Sequence, residues 1–158
     1  MKIRRYVPSD RAACHTVYVR AVREGTVQFY NAAQRAAWAP SDHPDPDRPD
    51  GLRDQLCWVA EDDGGIQGFM SMTLDGHIDM AFVVPDAMGT GLSKRLYEQL
   101  LQDARTREFQ TLTVDASHLA QRFFQRHGFE TDYREDIERN GVMLERFRMS
   151  RPLTEKVQ

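Results

Sequence analysis

The scarcities of this chain each remove a class of function. Cysteine is reduced to Cys14 and Cys57 in 158 residues, too few for a disulfide scaffold, so stability must come from a packed core. No apolar run approaches the roughly 18 residues of a membrane span, and the opening MKIRRYVPSD lacks the apolar centre of a secretory leader. A soluble, cytoplasmic protein is expected. A basic excess is also missing: 21 Lys and Arg against 24 Asp and Glu give a net charge of −3. Nucleic acid and membrane surfaces, which reward clustered cations, are therefore not expected partners. There are no internal repeats and no low-complexity tracts. What remains, 41% hydrophobic and 28% charged, reads as a single domain over residues 1–158. A chain of this length buries about 68–70% of its unfolded surface.

Punctuation and periodicity predict the elements. IRRYV is a short strand, and PSD after it offers Ser9 or Asp10 as a helix cap. Ala13, Val17 and Ala21, with Cys14, Tyr18 and Val22, then form one helical face over about 10–24, closed by Gly25. NAAQRAAWAP is a second short helix, and the prolines at 44, 46 and 49 make SDHPDPDRPDG a surface loop. CWVAE, IQGFMSMTL and HIDMAFVV, separated by DDGG and DG, predict three antiparallel strands. Leu92, Leu96 and Leu100 mark a long amphipathic helix, TLTVDA a strand, and SHLAQRFFQRHG a helix from Ser117 to Gly128. Two runs around Asn140-Gly141 make a closing hairpin. The order β α α β β β α β α β β implies an α/β fold, a mixed and mostly antiparallel sheet with helices on both faces.

The stretch VVPDAMGTGLSKRL at 83–96 sets a glycine turn between a buried strand and a helix start. Such a layout gathers backbone N–H groups and a positive helix end at one place, an anion site that needs no basic side chain. Two phosphate motifs fail here. Counting from Gly89 and Gly91, the third glycine of a dinucleotide fingerprint would be Lys94, and no Gly-Lys-Ser/Thr of a Walker loop is present. A third fits: FVVP followed by MGTGLS resembles the V-x-P and Q/R-x-x-G-x-G/A block of the GNAT acetyltransferases. Downstream, SHLAQRFFQRHGF at 117–129 resembles the family's N-x-x-A-x-x-F-Y-x-x-x-G-F block. The likeness covers nearly the whole chain, and AVREGTVQFYNAAQRAAWA together with TVDASHLAQRFFQRHGF is similar to the YafP-type bacterial subgroup.

The resemblance implies acetyl-CoA as cosubstrate, lying between splayed strands HIDMAFVV and TLTVDA. Backbone groups of Phe82 and Val84, with Val83 between them, would meet the acetyl carbonyl and pantetheine arm. Amides of Met88, Gly89, Thr90, Gly91, Leu92 and Ser93 would hold the pyrophosphate, and Lys94 and Arg126 the adenosine phosphates. Met88 replaces the family's Arg or Gln, Ser93 its Gly or Ala, and Ser117 its Asn, either as a helix cap or as a cofactor contact. Phe124 stands where many relatives carry a Tyr that protonates the departing thiolate; Tyr30 and Tyr133 are candidate stand-ins, as is departure without an acid.

An attacking amine must also lose a proton. Strand alternation sets His77, Asp79, Ala81 and Val83 on one face, which makes Asp79 the candidate base, His77 a relay, and Asp115 a second choice. Cys14 and Cys57 read as structural rather than as acyl carriers. The His and Asp of SDHPDPDRPD have no metal-ligand spacing, so no metal is expected. Tyr30 and Trp38 sit on the arm that walls the acceptor site in this family. The expected activity is transfer of acetyl from acetyl-CoA to a primary amine, small or peptidic, in a ternary complex. The alternative is a CoA-binding module without catalysis. Glu24, Asp42, Asp45 and Asp47 suit a cationic acceptor, and an exposed edge strand beside the NG hairpin would allow a homodimer.

Overall fold

The computed structural model describes residues 1–153; residues 154–158 of the expected domain lie outside it. One seven-stranded sheet runs through the molecule in the order β1-β2-β3-β4-β5-β7-β6. The strands are β1 (Lys2–Arg5), β2 (Leu56–Asp62), β3 (Gly65–Met72), β4 (His77–Val83), β5 (Thr111–Ala116), β6 (Glu130–Arg139) and β7 (Val142–Pro152). Helices α1 (Arg11–Gly25) and α2 (Ala32–Trp38) lie on one face, α3 (Leu92–Thr106) and α4 (His118–Arg126) on the other. All neighbours pair antiparallel except β4 and β5. Among the described residues no helix is long and apolar enough to cross a membrane.

The α3 face carries the larger core. Leu92, Leu96, Tyr97, Leu100 and Ala104 recur at helical spacing and bury against Met70, Met72, Ile78, Leu112 and Val114. Each such side chain contributes about 1.5–3 kcal/mol by leaving water. An ionic clamp adds orientation: Arg5 donates twice to Asp103 at 2.7 Å, and the Trp58 indole donates to the same carboxylate at 2.9 Å. Helix α3 is thereby fastened to β1 and β2, and with it the turn at its start. The opposite face buries Cys14, Val17, Cys57, Val59, Phe69 and Val84 beneath α1.

Three local expectations are corrected. Strict alternation along β4 fails at Asp79, because Met72 pairs with Ile78 while Ser71 pairs with Met80. Asp79 is the extra residue of a β-bulge. Ile78 therefore shares the α3-side core with Ala81 and Val83, Met80 and Phe82 pack on the α1 side, and His77 leaves the face it was assigned. Neither Ser9 nor Asp10 caps α1. Asp10 instead takes a bidentate contact from Arg4 (2.8 and 2.9 Å) and the Val7 amide (2.9 Å), a stronger set of donors than helix amides. The proline loop also runs into a 3-10 turn, Gly51–Asp54, that its composition did not announce.

The Arg4 guanidinium holds the buried Asp10 carboxyl below its ordinary value. A group depressed on folding stabilises the protein above its unfolded pKa, about 3.9, and that contribution disappears as pH falls below it. Asp10→Asn is expected to cost about 1–3 kcal/mol at pH 7, with the gap closing towards pH 3. Urea midpoints at the two pH values check this.

Candidate functional site

Strands β4 and β5 touch at only two register positions, His77 with Thr113 and Ile78 with Val114. Beyond Ile78 the strands part. One edge of β4 from Ala81 to Val83 is then without a backbone partner, and an extended amide-bearing ligand can complete such an edge. The pairing phase says which residues face the opening. The Val84 N–H donates to Gln67 O at 2.9 Å, and Phe82 sits opposite Phe69, two positions along the same ladder. Hydrogen-bonded positions alternate in an antiparallel pair, so Phe82 and Val84 direct their backbone groups into β3. Ala81 and Val83 direct theirs towards the cleft.

The cleft runs to the glycine turn. Pro85–Ala87 form a short 3-10 turn, Met88 is extended, and Gly89 (φ 78°) and Gly91 (φ 87°) take the left-handed backbone that lets the chain double back into α3. Among the described residues the amides of Gly89, Gly91, Leu92, Ser93 and Lys94 have no acceptor. Nothing lies within 4 Å of where a Cβ would stand at either glycine. This leaves open donors at the positive end of a 15-residue helix, a fit for a diphosphate. Thr90 is turned back onto Ala87 O through its hydroxyl (2.5 Å). The Met88 thioether lies over Gly25. Lys94 and Arg126 converge on His127, whose pKa is lowered first by burial and then by those cations and Arg151.

On the α1 side of the sheet, two connected cavities of about 900 and 300 Å³ open beside the bulge. Tyr18, Trp38, Asp79, Met80, Ile137, Arg139 and Arg146 line both. In the smaller one, His77 contacts Thr113 Oγ1 through Nδ1 (2.7 Å) and approaches Asp115 through Nε2 (3.5 Å). Asp115 is in turn held by Arg148 at 2.7 Å. Asp79 is exposed and accepts from Gln55 Nε2 at 2.9 Å. Ser117 caps α4 through Ala120 N (3.2 Å) and also lines the smaller cavity.

Tyr30 lines that cavity too, but its hydroxyl is engaged. It donates to Glu145 O (2.8 Å) and accepts from His118 N (3.1 Å), tying the loop before α2 to β7 and α4. Burial raises its pKa and keeps it protonated. Tyr133 is half exposed on β6 and lines neither cavity. Phe124 is fully buried between Tyr97, Phe123 and Phe129 and also lines neither cavity. Burial pushes the Cys14 thiol up to about 12 and raises Cys57 as well, so neither supplies a thiolate. Of the acidic residues expected to attract an acceptor, only Asp45 lines a cavity; Asp42 pairs with Arg23 and Glu24 with Arg20. Among the described residues no group of three or more His, Cys, Asp or Glu is placed to hold a metal.

Sequence reasoning missed Thr113, Glu145, Arg139 and Arg146. Thr113 was within reach, because it alternates with Asp115 on one face of a strand. The other three come from the last hairpin, whose position over the cavity depends on sheet order.

The comparisons with known proteins agree with this arrangement. The acetyltransferase (GNAT) domain family matches residues 44–151. The chain is 32% identical to the uncharacterized N-acetyltransferase YafP of Escherichia coli K12, over 94% of each chain. A GCN5-related N-acetyltransferase structure from Rhodopseudomonas palustris, also titled a class-II aminotransferase, superimposes with TM-score 0.84 at 31% identity, covering 96% of this chain and 95% of that one. YncA of Salmonella typhimurium, solved with acetyl-CoA, has the same fold: TM-score 0.68, 21% identity, 100% and 96% covered.

Tyr30→Phe is expected to lower stability by about 1–3 kcal/mol, since it strips a half-buried amide and a carbonyl of their partner. Urea denaturation measures the loss; a variant of unchanged stability but impaired turnover would return the hydroxyl to a chemical role.

Proposed function

The chain belongs to the GNAT acetyltransferase family, an acetyl-CoA-dependent class, and on that premise we propose that it transfers acetyl to a primary amine by direct attack. The single observation that carries the proposal is the parting of β4 from β5 in line with the open amides at the start of α3. Acetyl-CoA supplies an acyl thioester activated towards amines. Ala81 and Val83 would align its amide-bearing arm. The amides of Gly89, Gly91, Leu92, Ser93 and Lys94 would take the diphosphate, with the Lys94 and Arg126 side chains beside the adenosine phosphates.

The acceptor enters from the α1 side, through the cavities walled by Tyr18 and Trp38. Its nitrogen must be neutral to attack, and a lysine-like amine has pKa about 10.4. Asp79, beside the point where the strands part, takes the proton as nitrogen bonds to the carbonyl carbon, and His77 passes it towards Asp115. The carbon–sulfur bond then breaks. The thiolate leaves with the electron pair and takes its proton from solvent, which a pKa near about 8.5 for a thiol permits. No buried cysteine carries the acyl group, and the transfer takes place in one ternary complex.

Two measurements test this reading. Acetyl-CoA at about 100 times its dissociation constant is expected to add about 2.7 kcal/mol, a rise of roughly 5–10 °C in Tm for this length. Gly91→Leu, which forces a side chain into the left-handed region, should abolish that rise. Asp79→Asn is expected to lower kcat by about 10²- to 10⁴-fold at saturating acetyl-CoA. Tight acetyl-CoA binding with no thiol release across a broad amine panel would favour the non-catalytic module, a reading that the ring at Phe124 keeps open.

A further inference from the structure

The acceptor cavities are lined by both carboxylates and arginines, and these are not equally satisfied. The smaller cavity carries His77, Asp79, Asp115 and Glu145. Arg139, the last residue of β6, lines both cavities. Arg146, on the same hairpin, is engaged by Glu135 at 2.5 Å and lies 4.0 Å from Asp115. Arg139 has no carboxylate partner among the described residues, and neither do Arg48 and Arg11 on the wall of the larger cavity. Two carboxylates on that wall are hydrogen-bonded within the protein, and a third, Glu138, lines it next to Arg139. Asp50 accepts from Tyr6 Oη (2.6 Å) and the Leu52 amide (3.1 Å), and Asp45 from the Asp47 amide (2.9 Å). The hairpin tip that carries Arg139 is also held in place. The following Asn140 donates to Ala37 O at 2.7 Å, which pins the hairpin tip to the end of α2.

We propose that the acceptor is an amine that also carries an oxyanion, a carboxylate or a phosphate, and that Arg139 binds it while the amine faces Asp79. The inference rests on the acetyltransferase reading for the role of the amine, but the anion subsite stands on the arginines. Arg139 is exposed at the cavity margin without a carboxylate partner, and a guanidinium so placed is matched by a bidentate oxyanion. A purely cationic acceptor such as a polyamine would meet Arg139 as a like charge.

Calorimetry on the CoA-bound protein separates these cases without requiring turnover. The standard amino acids are titrated against their carboxamides, and aminoalkyl phosphates against the corresponding amino alcohols. At least one charged member is expected to bind about 10- to 100-fold tighter than its neutral counterpart; which pair shows the gap identifies the oxyanion. Arg139→Gln should erase the gap and Arg139→Lys restore part of it, with Tm unchanged in both. Equal binding within every pair, or a gap that survives Arg139→Gln, overturns the proposal. Preference for the anion with no acetylated product from any ligand would instead bring down the transferase reading and leave this subsite standing.

Discussion

The structure depends on a pairing that stops early. Two register positions join β4 to β5, and beyond them the sheet has a gap that ordinary sheet energetics would close. Helices hold it open. Helix α3 is fastened to the β1–β2 edge by Arg5, Trp58 and Asp103, while α4 packs on β5 and β7, so each half of the sheet has its own support. The bulge at Asp79 sits next to the last paired residue and resets which backbone groups face the gap. One inserted residue thus decides that Ala81 and Val83, rather than their neighbours, present unpaired polar groups. Unpaired backbone inside a sheet is costly, and a ligand that runs along the gap would offset that cost.

The two sides of the gap differ in kind. On the α3 side the open polar groups are backbone amides, fixed by helix geometry rather than by side chains. On the α1 side they are side chains, and their polar contacts run in series: Thr113 with His77, His77 towards Asp115 at 3.5 Å, Asp115 with Arg148, and Glu145 between His118 and Arg134. With Nδ1 of His77 on Thr113, its Nε2 is the nitrogen turned to Asp115.

Legibility in the sequence followed locality. The glycine turn, the α3 stripe and the Ser117 cap depend on residues within a few positions of one another, and all three lie where periodicity and turn chemistry put them. The Asp79 bulge depends on how β3 meets β4, and no pattern within HIDMAFVV announces it. The same holds for Asp10, drawn off its cap by Arg4 six residues earlier, a contact that needs the two segments already folded together. Arg139 and Glu145 lie on the hairpin of a legible NG turn, but their place on the cavity wall comes from β7 inserting between β5 and β6. Tyr30 lines the same cavity, and the engagement of its hydroxyl from two directions depends on Glu145 and His118, far away in sequence.

The burial of both cysteines also shapes how the molecule ages. With Cys14 and Cys57 covered and held protonated, the folded chain offers peroxide no thiolate, so the usual first target of oxidation is closed. Damage must begin at sulfur of another kind. Met143 is 53% exposed, and its carbonyl accepts from Gln34 at the start of α2. A sulfoxide there would be a polar group on the β6–β7 hairpin, reversible by reductases. Met1, 52% exposed and with its carbonyl accepting from Arg95 of α3, is the other open thioether, so oxidative wear would begin at the two faces of the sheet together.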